Sequence, residues 1–371
     1  MNRLSFLAVI LSSLAFSCGH NPEPQVFFAG GFTSGDEPAM ALFELDSKGD
    51  ATLLKQIEAG PSPAYFTFSK DHNLIYAMNE VNDFKGSQGG GITTLAYDPL
   101  TSATELRGEI SIPFGGACHI SLSADSGSLF VASYGSGSVA VVKLDEKGIP
   151  AKVTDTILYV TEPPVVSHPH MISHDPEGKF VYLTDLGLNR LVVFSFDPVN
   201  GRLSQVENGV IPLAPGSGPR HFTFTKEGTS LYVINEIGSS VMHFSVGENG
   251  IPVFRQTIST LSDEYNGKNS CAEIVLDKNE KFLYGSNRGE NTIVVFSVGE
   301  DGHLTLAGRS TCGGDWPRNF VIDPSGKFLL SGNQRSDNIS VFRINQANGL
   351  PEGPVSSIGM KAPACIEFWN K

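Results

Sequence analysis

Charged residues make up only 18% of this 371-residue chain, and their balance is acidic, with a formal net charge of −13. A surface of that sign repels a phosphate backbone, which excludes nucleic acid as a partner. No long amphipathic helical stretch appears, and no low-complexity linker divides the chain. A Gly-Lys-Ser/Thr phosphate loop and a Gly-x-Ser-x-Gly nucleophile elbow are both missing, which removes the commonest nucleotide-hydrolase and serine-hydrolase constellations. Cysteine is scarce as well. None of the five forms a Cys-x-x-Cys pair, so a structural zinc site has no support.

What is abundant is turn chemistry. Forty Gly and twenty-two Pro punctuate short β-branched and aromatic runs, the composition of one large all-β domain. The runs repeat. Pro63, Ala117, Pro169, Pro219, Cys271 and Pro317 each open a short apolar strand, about 46 to 54 residues apart, and Pro363 opens a last one. Thirteen positions after the first six openings stand Tyr76, Phe130, Tyr182, Tyr232, Tyr284 and Leu330, inside a second strand. Polar turns such as Asp175-Pro176-Glu177-Gly178-Lys179 join the two, which is hairpin chemistry. A third strand follows in each unit, at residues 92–98, 139–145, 191–197, 241–246, 293–298 and 339–344, and then a fourth extended segment.

A four-stranded unit cannot bury both of its faces alone, so the units must stack around an axis and share them. The ends supply the missing copy. Residues 26–29 and 41–46 read as a second and third strand with no first strand before them, while Ala364-Cys365-Ile366-Glu367-Phe368-Trp369 reads as a first strand with nothing after it. The expected fold is a seven-bladed β-propeller over residues 26–371, four antiparallel strands per blade, one blade closed by both termini.

The N-terminus stands apart. Arg3 precedes an almost unbroken apolar run, residues 4–16, that ends at Ala15-Phe16-Ser17-Cys18. This resembles a bacterial lipoprotein signal, which implies a signal peptide over residues 1–18 and Cys18 as the lipidated residue. The run falls short of the roughly twenty residues a membrane span needs. Residues 19–25 then form a tether, and the protein is expected in the cell envelope or periplasm, touching membrane only through its lipid. Cys118, Cys271, Cys312 and Cys365 allow three disulfide pairings; three of them lie on or beside first strands, and free buried thiols are expected.

Repeat register also exposes a candidate site. The start of a first strand and the end of a second lie at one rim of the channel, because paired strands run in opposite directions. One position after each opening stand Ala64, Cys118, His170, Arg220, Ala272, Arg318 and Ala364; seventeen after, Glu80, Tyr134, Leu186, Glu236, Arg288 and Gln334. His170, Arg220, Glu236, Arg288 and Arg318 therefore converge on one side of a channel mouth, in a protein whose net charge gives no general reason for an arginine cluster. The series sixteen after each opening, Asn79, Ser133, Asp185, Asn235, Asn287 and Asn333, is polar in every unit and reads as architecture. His168, His174 and His221 flank the same strands, and His119 matches His221 in register. No carboxylate recurs with them at a ligand-like spacing, so they read as packed histidines, with no metal expected.

Five segments carry a family resemblance: His168-Pro169-His170, Asp185-Leu186-Gly187-Leu188-Asn189-Arg190, Gly218-Pro219-Arg220-His221, Val233-Ile234-Asn235-Glu236 and Ser286-Asn287-Arg288-Gly289. They resemble, in order, the seven-bladed propeller lactonases, a family that includes bacterial 6-phosphogluconolactonases and a fungal muconate lactonizing enzyme. The resemblance implies a cofactor-free lactonase whose catalytic residues are His170, Arg220, Glu236 and Arg288. Arg318, Glu80 and Asp185 are candidate substrate-binding residues, although Asp185 also belongs to the architectural series. Opening a lactone needs a base for water, donors for the oxyanion and a proton for the alkoxide. Glu236 is expected as base and His170 as proton donor, the reverse being nearly as good. The expected partner is a small sugar lactone or sugar acid; export favours an unphosphorylated one. The alternatives are a lactonizing activity and a non-catalytic propeller that binds a carbohydrate acid or a protein.

Overall fold

The computed structural model describes residues 24–33, 37–161, 163 and 166–369. The expected signal peptide, with Cys18, and most of the expected tether lie outside the described residues. Gln25, expected in the tether, already belongs to a strand, Gln25–Gly31, and its amide donates to Asp323 Oδ2 at 2.8 Å. Among the described residues, seven four-stranded antiparallel sheets form the propeller, with one small hairpin, Asp83–Phe84 against Ser87–Gln88. Blade 1 runs from Ala51–Ile57 through Met40–Leu45 and Gln25–Gly31 to Pro363–Phe368, so the two termini share a sheet as expected. Blades 2 to 7 begin with Pro63–Phe68, Ala117–Leu122, Pro169–His174, Pro219–Phe224, Ser270–Leu276 and Pro317–Ile322. These strands line the axis. Proline suits their first position, because an innermost strand is a sheet edge and its first N–H has no ladder partner to lose.

Burial explains the closure. Each apolar cluster draws on two adjacent blades; Phe27 and Phe43 of blade 1, for instance, pack with Leu330, Val341 and Phe368. Phe27 and Phe43 stack at 5.0 Å, and Phe28 meets Phe66 and Phe68 of blade 2 edge-on. The hairpin turns carry their own chemistry. Asp175, Asp277 and Asp323 each accept two backbone N–H groups four and five residues on, as in Lys327 N and Phe328 N to Asp323 Oδ1 at 2.7 and 2.6 Å.

The residues thirteen after each opening have a role beyond filling space. Tyr76, Tyr182, Tyr232 and Tyr284 donate their hydroxyls to the carbonyls of Gly148, Gly250, Gly302 and Gly349 in the next blade, at 2.7 to 2.9 Å. Gly302 has φ +79°, and a Cβ there would lie 2.6 Å from the His243 ring, so only glycine fits the turn. Phe130 and Leu330 lack the hydroxyl, and at their junctions the equivalent glycine carbonyls, Gly201 O and Gly49 O, accept instead from the hydroxyls of Thr154 and Ser356 at 2.9 and 2.6 Å. Cys118, Cys271, Cys312 and Cys365 are all free and buried, matching expectation.

One irregularity positions the site. In every blade the ladder between first and second strand breaks just after the opening, skipping one residue, as between Pro219 and His221, or two in blade 6, Ala272 and Glu273. Such a bulge re-aims the extra side chain. The bulged residues are the rim series, Arg220 among them.

Deleting residues 361–371 strips blade 1 of its innermost strand and bares Phe27 and Phe28. The shortened chain is expected to lose its cooperative thermal transition by circular dichroism; a transition at the parent temperature would show that closure by the termini is dispensable.

Candidate active site

Three guanidinium groups meet at the mouth. Arg220 and Arg288 are 2% and 4% exposed, and both reach the same carboxylate: Glu236 Oε2 lies 3.1 Å from Arg220 Nε and 2.7 Å from Arg288 Nη2. Backbone carbonyls of blade 6 fix their planes. Arg220 Nη1 donates to Ala272 O at 2.7 Å, and Arg288 donates to Ser270 O and Cys271 O at 3.1 and 2.9 Å. Arg288 also sits over the Trp316 ring, 5.3 Å from its centroid. Arg318, from blade 7, lies over Phe32 and comes within 4.0 Å of Glu80 Oε2 across the small Ala364 and Ala64. His170 completes the group. Its ring is 5.8 Å from Tyr134 and 5.0 Å from His221, and its Nδ1 is buried with no hydrogen-bond partner among the described residues.

Electrostatics follow from burial and crowding. Burial, then the neighbouring Arg220, lowers Arg288 to about 9, and the same two causes lower Arg318. Guanidinium groups that repel one another in this way are relieved by an anion. Burial raises the Glu80 carboxyl, with Arg318 and Arg220 pulling the other way. Burial, followed by Arg220, holds His170 well below the usual imidazole value, so its ring is neutral at pH 7.

Asp185 does not join them. Its Oδ1 accepts His168 N and Leu188 N, its Oδ2 accepts the Ser167 hydroxyl and Arg190, and it is fully buried. With every lone pair used, it is architecture, and the expected substrate contact is corrected. Asn189 serves the same loop, its side-chain oxygen accepting Gly218 N at 2.9 Å. His168 stacks on Tyr134 at 4.2 Å and binds its carbonyl, while His174 binds the Asp175 carbonyl near the far end of its strand.

His119 and His221, by contrast, lie in the channel itself, below the mouth. Tyr65, His119 and His221 approach one another at 4.6, 5.7 and 6.0 Å, although they come from blades 2, 3 and 5, so their rings meet across the axis. His221 Nδ1 is 3.0 Å from Glu273 Oε1, a carboxylate the repeat reading passed over. A signal for it existed: two positions after each opening stand Tyr65, His119, Met171, His221, Glu273, Asn319 and Cys365, a series as uneven as the rim itself. Among the described residues no group of three or more His, Cys, Asp or Glu is arranged to hold a metal.

A basic, carboxylate-pinned mouth over a histidine-lined channel, carried on an all-β propeller, has chemistry suited to a small anion. Residues 26–368 match the family model "Lactonase, 7-bladed beta-propeller", and the chain belongs to that family. It is 26% identical to the 6-phosphogluconolactonase of Bacillus subtilis, over 93% of this chain and 98% of that one. With the 6-phosphogluconolactonase of Formosa agariphila it shares 30% identity over 87% of this chain and 93% of the relative. Among solved structures, the periplasmic gluconolactonase PpgL of Pseudomonas aeruginosa superposes with a TM-score of 0.88 at 27% identity, covering 93% of this chain and 99% of that one. A putative 6-phosphogluconolactonase of Bacteroides fragilis gives 0.85 at 27% identity, covering 94% and 98%.

The buried imidazoles make stability depend on pH. His119 and His170 stay neutral when folded, both held well below 6.5 first by burial, whereas the unfolded chain takes up a proton on each below about pH 6.5. Stability therefore falls as pH drops below that value, by up to about 1.4 kcal/mol per pH unit for each histidine. Urea midpoints measured from pH 7 to pH 5 are expected to decline, and less steeply in His119→Gln; equal slopes for the two proteins would contradict the assignment.

Proposed function

We propose that this protein hydrolyses a sugar lactone at the channel mouth. The observation that carries the reading is the convergence of Arg220, Arg288 and Arg318 from blades 5, 6 and 7 in a chain of net charge −13, with Glu236 pinning two of them. Planar guanidinium forks suit both a sugar acid's carboxylate and the oxyanion that forms when water adds to a lactone carbonyl. The relatives' names, 6-phosphogluconolactonase and gluconolactonase, support an aldonolactone. The apolar N-terminal run ending at Cys18, and the periplasmic gluconolactonase among the similar structures, support an envelope location and an unphosphorylated substrate.

The geometry favours the reverse of the first role assignment. Glu236 Oε2 already lies between two guanidinium groups, which suits it to fixing their spacing. His170 is neutral and has an unpartnered Nδ1, which suits it to take the proton from water. Water then adds to the carbonyl carbon, the carbonyl oxygen takes the charge beside Arg220 and Arg288, and collapse breaks the ring C–O bond. Arg318, with Glu80 beside it, is placed to hold the sugar's far polar groups.

A panel of aldonolactones followed by pH-stat tests the reading. Glu236→Gln and Arg220→Ala are each expected to cut hydrolysis on the order of a hundredfold while leaving the thermal melt in place. Wild-type rates in both variants would leave a binding protein that does not turn over.

A further inference from the structure

We propose that the imidazole layer beneath the mouth stores the proton released by the attacking water, and that His221, held by Glu273, is where that proton rests. The inference deepens the lactone-hydrolysis reading and rests on it.

Hydrogen bonds fix the tautomer of His221. Ile366 N donates to Asn319 Oδ1 at 2.9 Å, which turns the Asn319 Nδ2 group toward Glu273 Oε2 at 2.6 Å. Glu273 Oε1 accepts Ile274 N at 3.1 Å and faces His221 Nδ1 at 3.0 Å. A carboxylate only accepts, so the hydrogen between them sits on Nδ1. Nε2 of His221 is then a bare lone pair. It is buried without a partner among the described residues, and so are Nδ1 of His119 and Nδ1 of His170, on rings 5.7 and 5.0 Å from that of His221. Buried ring nitrogens left without partners in this way are satisfied by water, and the one that is a bare acceptor, His221 Nε2, also by a transferred proton.

Charge selects among the three. Arg220, Arg288 and Arg318 all act against a positive His170, and no carboxylate is among the main influences on it. His119 has no carboxylate acting in its favour either. Around His221 stand Arg220 on its own strand, Arg318, His170, His119, Tyr65 and Glu273, and only Glu273 favours the imidazolium. Burial lowers His221, with Glu273 opposing it; burial works to raise Glu273, but His221 and Arg220 outweigh it and leave the carboxyl below its usual value. On its far side the layer meets a cavity of about 280 Å³ that His119, Glu273 and Asn319 help to line, so water reaches it from below.

The step balances without another reactant. An O–H bond of water breaks as its oxygen bonds to the carbonyl carbon; the proton passes by way of His170 to His221 Nε2, forming an imidazolium against Glu273. On collapse the ring C–O pair goes to the alkoxide oxygen, which takes the proton back. In this scheme His221 is a relay and Glu273 a positioning residue.

Two measurements on the full chain test it. Nitrogen-15 spectra of labelled histidines should show His221 at neutral pH with hydrogen on Nδ1 and none on Nε2; the opposite tautomer overturns the proposal, whether or not any variant folds. Kinetics on the aldonolactone panel should show Glu273→Gln lowering kcat about tenfold to a hundredfold with KM within about twofold. The acid limb of its kcat profile should move to lower pH, because the imidazole has lost the carboxylate that favours its charge. A merely structural role would not move that limb. Unchanged kcat and limb in Glu273→Gln overturn the relay and leave hydrolysis standing, whereas a wild-type protein inert on every lactone sinks both readings.

Discussion

The ladder between Gln25–Gly31 and Pro363–Phe368 is the constraint on which the rest depends. It joins the two ends of the chain in one sheet, so seven innermost strands run side by side around an axis and their seven bulges fall at the same end. Side chains from blades 4, 5, 6 and 7 meet at the mouth only because that ring is complete. An open stack of the same blades would leave Arg220 beside Glu236 but carry Arg318 away from Glu80, since that contact bridges the terminal blade.

Within the ring, polarity is sorted by depth. At the rim three guanidinium groups stand among smaller and neutral side chains, and the planes of Arg220 and Arg288 are set by main-chain carbonyls of Ser270, Cys271 and Ala272 rather than by one another. One layer deeper stand imidazole, phenol, carboxylate and amide groups, and the run from His221 through Glu273 and Asn319 ends on the backbone N–H of Ile366 in blade 1. A ligand at the mouth thus meets groups already oriented, and little ordering is left for binding to supply. Holding cations in a buried ring costs stability through mutual repulsion. Glu236 offsets part of that cost, and an anionic ligand offsets more.

Much of this was legible in the sequence, and the rest was hidden for a definable reason. Pro63, Pro169, Pro219, Pro317 and Pro363 mark strand starts because proline is tolerated there, and that regularity alone carried the blade count and the split blade. It also carried His170, Arg220, Glu236, Arg288 and Arg318 to one mouth, since a register needs no coordinates. Glu273, His221 and His119 escaped because simple alternation along a strand sends the residue after a rim position away from the axis. The bulge breaks that alternation, and both consecutive residues reach the channel. Asp185 illustrates the other limit. A residue type can be right for binding and still be spent on its own loop, and only the four groups around its carboxylate decide the matter.

The four thiols inside the propeller carry a consequence of their own. All are free and buried, so nothing among the described residues of the ring is cross-linked by sulfur. A closure made of strand pairing and shared packing needs no disulfide to form. The domain can reach the same shape on either side of a membrane, which separates the question of where it matures from the question of whether it folds.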